Sequence, residues 1–148
     1  MVNLTTNYLT QLFNALLDPN STVVYGTEPA VPLAPVPLTE GAANTLGVAG
    51  NIDAAVAAAY KITHIYLSTP SAAGVFSVVL LIAGVEVWSG GPFDLLGAAG
   101  VTGVVVTLPF PITAALGAAV TAQVCSVAGG VKTIDMRIGY VLNALLGT

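Results

Sequence analysis

The 148-residue chain is 55% hydrophobic, only 7% of its residues are charged, and its net charge at pH 7 is −4. Its basic residues Lys61, Lys132 and Arg137 are too few and too scattered for nucleic acid or an anionic membrane surface, which both need clustered cations. Soluble proteins usually carry about 25% charged residues. A lone monomer would struggle to cover its surface, so the sequence predicts that lipid or other protein subunits cover part of it.

An amphipathic helix is predicted over residues 4–17, where Thr5 or Thr6 can serve as the N-cap. The apolar residues recur at the i, i+3, i+4 spacing of one helix face. These residues are Leu9, Leu12, Phe13, Leu16 and Leu17. Because a short terminal helix is marginal by itself, we expect it to dock on its own domain or on a partner.

A short strand over residues 22–26 is followed by a proline-rich segment, TEPAVPLAPVPLTEG, which predicts a stiff extended arm. Its intervening residues are apolar, among them Val31, Leu33, Val36 and Leu38, whereas a flexible linker would be polar. We expect the arm to lie along a surface, and the sequence leaves open whether that surface belongs to a partner or to its own domain. We therefore divide the chain into a helix and assembly arm, residues 1–50, and a β-sandwich domain, residues 51–148.

From Tyr60 onwards, alternating and β-branched segments bounded by glycine and proline predict an antiparallel β-sandwich or jelly roll. The expected strands are residues 60–68, 75–84, 85–89, 101–108, 118–127 and 132–145, with a loop at 90–100. The second and third strands are expected either to form a hairpin or to be separate strands, with the break between them at Ala83-Gly84.

Residue alternation assigns the two faces of three strands. In the first strand, Ile62, His64 and Tyr66 are expected opposite Thr63, Ile65 and Leu67. In the strand over residues 118–127, one face is expected to carry Val120, Ala122, Val124 and Ser126. In the last strand, one face is expected to carry Ile134, Met136, Ile138 and Tyr140. Both faces of several strands are apolar, which again indicates a subunit interface.

The chain has no charged residue between Asp94 and Lys132, which raises the alternative of a membrane span. Pro109 and Pro111 interrupt this stretch, glycines recur in it, and basic flanks are absent. A spanning helix needs about 20 continuous apolar residues. We therefore favour sheet and expect no membrane partner.

No motif indicates an enzyme, and we expect no catalytic residue, cofactor or metal. The single histidine, His64, has no Gly-x-Ser-x-Gly elbow to accompany it, and with Cys125 it is too little for a usual zinc site. Trp88, Phe93 and Tyr66 are candidates for a sugar-binding platform, although core or interface packing is the commoner role of such residues. Trp88 and Phe93 are our candidates for an oligomer or ligand surface.

The block YKITHIYLSTPSAAGVFSVVLLIAGVEVWSG resembles a repeated plan of small phage virion proteins. In that plan a strand ends in a Ser/Thr-rich turn and a second strand reaches the next through "GV". The matching residues are Lys61, Ile62, Ile65, Tyr66, Leu67, Ser68, Ser71, Val78, Leu80, Ile82 and Gly84. The likeness extends from Tyr60 to about Leu142.

This resemblance implies a jelly-roll fold, a trimeric assembly and a structural role on a capsid or tail. Family members with N-terminal arms tend to be head decoration, or cement, proteins. The leading expectation is therefore a virion-located cement protein that forms a homotrimer, binds the major capsid protein or another virion protein, and stabilises the assembled head. The alternatives are a tail or fibre-tip receptor-binding module and, third, a small membrane protein.

Overall fold

The computed structural model describes residues 25–30, 32–97 and 100–142. Within these ranges the protein is all-β, and its strands form two antiparallel sheets, which confirms the expected fold class at that level. The predicted helix over residues 4–17 lies outside the described residues. So do five of the proposed partner contacts, namely Leu9, Leu12, Phe13, Leu16 and Val31.

The described ranges contain nine strands. They are β1 (Tyr25–Glu28), β2 (Val36–Thr39), β3 (Gly50–Asp53), β4 (Tyr60–Ser68), β5 (Gly74–Ile82), β6 (Val85–Leu95), β7 (Gly103–Ala114), β8 (Val120–Ser126) and β9 (Thr133–Leu142). The first sheet has the order β1-β9-β4-β7, with β2 also paired to β9. The second sheet has the order β3-β8-β5-β6.

The hydrophobic core lies between the two sheets and follows the alternation of the strands. Val120, Ala122, Val124 and Ser126 of β8 are all buried, as predicted. In β9, Ile134, Met136 and Ile138 are fully buried, and Tyr140 packs against the same core. Apolar side chains at every second position therefore hold the sheets face to face, as the pleat of a strand requires.

The β5–β6 hairpin confirms the predicted break at Ala83-Gly84. Both residues have positive φ angles, 51° and 78°, as a two-residue hairpin turn with the twist of the strands requires. The loop predicted at residues 90–100 is wrong for its first half, because β6 continues to Leu95. Phe93 pairs with Phe76, and Leu95, which pairs with Gly74, is only 1% exposed.

The face assignment of β4 is wrong in its first half because of a β-bulge at Thr63. Ile62 pairs with Tyr140 and His64 with the adjacent Gly139, so Thr63 is an extra residue. Such an insertion reverses the alternation. Ile62 is buried before the bulge, whereas Ile65 and Leu67 are buried after it.

The proline-rich segment contributes strands to the sandwich. Both β1 and β2 pair with β9, along the edge that β4 leaves open. Leu38 is 1% exposed and belongs to the core, and Val36 packs against it. Leu38 is therefore a core residue rather than a residue on a free arm, and the described sandwich extends N-terminal of residue 51.

Candidate functional site

An ion pair fixes the end of β2 to the chain that enters β9. Lys132 Nζ lies 3.1 Å from Glu40 Oε1 and donates to the carbonyl of Gly129 at 2.6 Å. The Glu40 side chain is fully buried, and its Oε2 has no hydrogen-bond partner among the described residues. Burial raises the pKa of this carboxyl, but the hydroxyl of Ser126 and the amide and ammonium of Lys132 outweigh it, so the pKa lies below its usual value. We therefore assign this ion pair a structural role, in which it holds the end of β2 against the segment that precedes β9.

Two carboxylates, those of Glu28 on β1 and Asp53 on β3, line the same small cavity. The hydroxyl of Tyr60 donates to Asp53 Oδ2 at 3.0 Å, and the ring of Tyr60 stacks on Tyr140 with centroids 4.3 Å apart. Burial, and then the charge of Asp53, raise the pKa of Glu28 above its usual value. Burial and Asp53 likewise raise the pKa of Tyr60. The cavity that these two acidic side chains line has a volume of about 160 Å³, and the described residues contain no group of three or more His, Cys, Asp or Glu side chains that could hold a metal ion.

The sandwich presents one side formed by the outer strands of both sheets, β6 and β7, which contact each other. We call this side the β6/β7 edge. Of its large apolar residues, Val85 is 65% exposed and Val105 is 59% exposed. The only charged residues of the two strands are Glu86 and Asp94. Edge strands are normally protected by charges, most often by lysine.

Prolines restrict where the β6/β7 edge can pair with another strand. Pro92 interrupts β6, and the Leu-Pro-Phe-Pro stretch of residues 108–111 stands opposite the bulge of β4. Phe110 in that stretch is 52% exposed. The proline-free segments are residues 85–91 of β6 and 103–108 of β7, and these retain the backbone groups that strand addition uses.

Trp88 and Phe93 do not lie on an outer face. They pair with Leu80 and Phe76, which are fully buried, and both pack against the hydrophobic core. Their proposed role as an oligomer or ligand surface therefore does not fit their placement on the inward side of β6. Of the proposed arm residues that the structure describes, Leu33, Val36 and Leu38, Leu33 is exposed at 63%. Arg137 donates hydrogen bonds to the carbonyls of Pro29 and Leu33 and holds that segment on β9.

A groove of about 450 Å³ lies on the outer face of the first sheet, over β1, β4 and β9. We call it the Gly139 groove. Tyr66 and His64 follow the bulge on this face, with ring centroids 6.2 Å apart and planes inclined by 20°. The ring of Tyr66 lies across Gly139, where a Cβ atom would stand 3.0 Å from it. Sequence reasoning singled out Tyr66 but grouped it with Trp88 and Phe93, which lie on β6 of the other sheet. Membership of one sheet or the other has no local sequence signal.

Comparison of the chain with models of known families, with curated proteins and with solved structures finds no match. Among residues 25–30, 32–97 and 100–142, no helix combines the length and apolarity needed to cross a membrane.

Proposed function

We propose that the protein is a structural component of a phage particle, of the head decoration type, which trimerises and binds the assembled capsid. The observation that carries this proposal is the apolar β6/β7 edge. Two long outer strands with exposed valines and a phenylalanine, and with only two charges, need protein to cover them. A closed ring of subunits covers such an edge without forming fibres.

The strand order supports the viral part of the proposal. Strands β2 to β9 are distributed as β2-β9-β4-β7 and β3-β8-β5-β6, and only the β5–β6 connection stays within one sheet. We propose that this arrangement is a jelly roll, an eight-stranded double sheet that recurs in viral capsid and lectin domains. The resemblance of residues 60–142 to small phage virion proteins points the same way.

The mechanism is mechanical and relies on several weak contacts acting together. Trimerisation through the β6/β7 edge gives three copies of every capsid-binding surface, which raises the overall affinity by about 10²- to 10⁴-fold when all three engage. A protein that binds the assembled shell and not its free subunits stabilises the shell by mass action. The capsid therefore gains resistance to heat without any chemical step.

The proposal is tested by sedimenting the full chain with heads that lack it, and separately with unassembled capsid subunits, from the phage that encodes it. We expect saturable binding to heads and none to free subunits. Val87→Lys and Phe110→Asp each place a charge at an exposed position of the β6/β7 edge and should weaken head binding about 100-fold by breaking the trimer.

The matched control is Val131→Lys, which places the same charge at a position that is 85% exposed, between β8 and β9. It should bind heads like the unmodified chain. The proposal fails if the unmodified chain does not bind heads, or if it binds free capsid subunits equally well. It also fails if the edge variants and the control behave alike.

A further inference from the structure

We propose that the Gly139 groove binds a neutral saccharide. This goes beyond assembly, since the groove is built from β1, β4 and β9, whereas the exposed positions tested at the β6/β7 edge lie on other strands. Its volume of about 450 Å³ falls within the range of small-molecule sites, about 300–1,000 Å³.

The groove has an aromatic wall of a kind that suits a sugar ring. Tyr66 and His64 lie nearly parallel on one face of β4, and Tyr66 rests against Gly139 of the neighbouring strand. Glycine at that position lets the ring lie low over the sheet and leaves open space beside it. Flat rings present a large rigid apolar surface with a polar tip, and the C–H face of a pyranose packs on such a surface.

Polar groups stand next to this wall. The hydroxyl of Thr63, in a residue that is 4% exposed, lies 2.8 Å from His64 Nδ1 and 3.3 Å from the carbonyl of Gly139. The contact between the Thr63 hydroxyl and His64 Nδ1 orients the imidazole. In the part of the chain that the structure describes, the other ring nitrogen, His64 Nε2, has no hydrogen-bond partner. Thr27 supplies a second hydroxyl to the lining, and its proton is directed to the carbonyl of Pro29. Both hydroxyl oxygens can accept from sugar hydroxyls, and His64 Nε2 can donate or accept according to the tautomer of the ring.

The charges around the groove favour an uncharged ligand. No Asp, Glu, Lys or Arg is among its lining residues. Arg137, on the groove strand β9, directs both of its terminal nitrogens to the carbonyls of Pro29 and Leu33, so it is engaged by the chain itself. A sialylated or sulfated sugar, or a nucleotide, would find no free cation there, whereas a neutral hexose needs none.

The test presents the purified full chain to an array of neutral, sialylated and sulfated glycans. It is followed by saturation-transfer NMR with the methyl glycosides of galactose, glucose, mannose, N-acetylglucosamine and N-acetylgalactosamine. We expect binding of at least one neutral sugar and no preference for acidic ones. No phage head is needed, so the result is independent of the assembly proposal.

Two variants locate the site. Ala30→Trp fills the groove from an exposed position and should abolish the saturation transfer, while His64→Ala should lower affinity roughly fivefold through loss of one ring contact. The control Ala72→Trp adds the same ring at an exposed turn between β4 and β5 and should bind normally. The fluorescence of Trp88 in the His64→Ala protein, which adds no tryptophan, verifies that this variant is folded.

Four results would overturn the inference, of which the first three concern the unmodified chain and Ala30→Trp. These three are the absence of binding to every neutral glycan tested, a preference for acidic glycans or for adenosine used as a stacking probe, and sugar binding that Ala30→Trp leaves unchanged. The fourth is a folded His64→Ala protein with unaltered affinity.

Discussion

Replacing Lys132 with methionine removes the ammonium that pairs with the buried carboxylate of Glu40 and keeps most of the aliphatic stem. In the unmodified protein the two charges lie 3.1 Å apart, with side-chain exposures of 18% and 0%. Because Glu40 Oε2 already has no partner among the described residues, the variant leaves a buried carboxylate that relies on Ser126 and on the Lys132 backbone amide. That state is unfavourable, since a charge buried without its partner retains the desolvation penalty.

The size of the effect follows from the geometry. Removing one partner of a buried pair costs about 3–5 kcal/mol, and leaving a hydrogen-bonding group unsatisfied costs about 1–3 kcal/mol. With Lys132 partly open to water, we expect Lys132→Met to lower the free energy of unfolding by about 2–4 kcal/mol. The thermal midpoint should fall by roughly 10 °C in a domain of this size.

Urea unfolding monitored by the fluorescence of Trp88, the single tryptophan, measures the loss directly. Trp88 packs against the core, so its emission reports on the sandwich. The double variant Glu40→Gln/Lys132→Met removes both charges and should recover at least half of the lost stability. A loss below about 0.5 kcal/mol in Lys132→Met would refute the reasoning, because that is the range of an exposed pair.

Three further predictions concern the same fold. Leu38→Ala should lower stability by about 2–4 kcal/mol in urea unfolding, because Leu38 is 1% exposed in the core; an unchanged midpoint would mean that β2 is not part of the folded unit. The pKa of Glu40 is lowered in the folded protein, so the stability that it confers is present above pH 4.5, the usual pKa, and is lost as the pH falls through the folded pKa. Glu40→Gln should therefore reduce the loss of unfolding free energy on the acid side of the pH profile. An unaltered loss on the acid side would contradict this. The raised pKa of Glu28 acts in the opposite sense, and its destabilising effect appears as pH rises through 4.5 towards the folded pKa. Glu28→Gln should therefore gain up to about 0.5 kcal/mol at pH 7 and nothing at pH 3, and a loss at pH 7 would show that its charge has a stabilising partner.

The regular strands could be predicted from sequence because one face of each is buried against the other sheet. The β8 face follows strict alternation and the β9 face follows it from Ile134 to Ile138, and the β5–β6 turn follows from a glycine at a position that needs positive φ. The segment that contains β2 has four prolines between residues 29 and 37, a pattern that predicts an extended polyproline-like arm rather than a strand. Pro37 is tolerated because, among the described strands, β2 pairs only with β9, so no second neighbouring strand requires its missing N–H group.

The sites were harder to predict, because they depend on register rather than on composition. Alternation predicts His64 and Tyr66 on one face of β4, but it groups them with Ile62, whereas the bulge at Thr63 leaves Ile62 in the core and turns His64 and Tyr66 to the outer face beside Gly139. A bulge is one extra residue and has no local sequence signature here. Trp88 and Phe93 are candidates for an oligomer or ligand surface in the sequence, with core packing as the commoner role, and the register of β6 against β5 turns both towards the core. The excess of apolar residues in the composition indicates an uncovered apolar surface. The position of that surface on the molecule can be found only once the order of the strands is known.

Sedimentation velocity of the full-length protein, unmodified and with Phe110→Asp, is the most direct measurement of the claim that other subunits cover the β6/β7 edge. The account predicts a trimer for the unmodified chain and a folded monomer for the variant, with Val131→Lys remaining trimeric. A monomer that stays soluble at high concentration, or a trimer unaffected by a charge at position 110, would contradict the account.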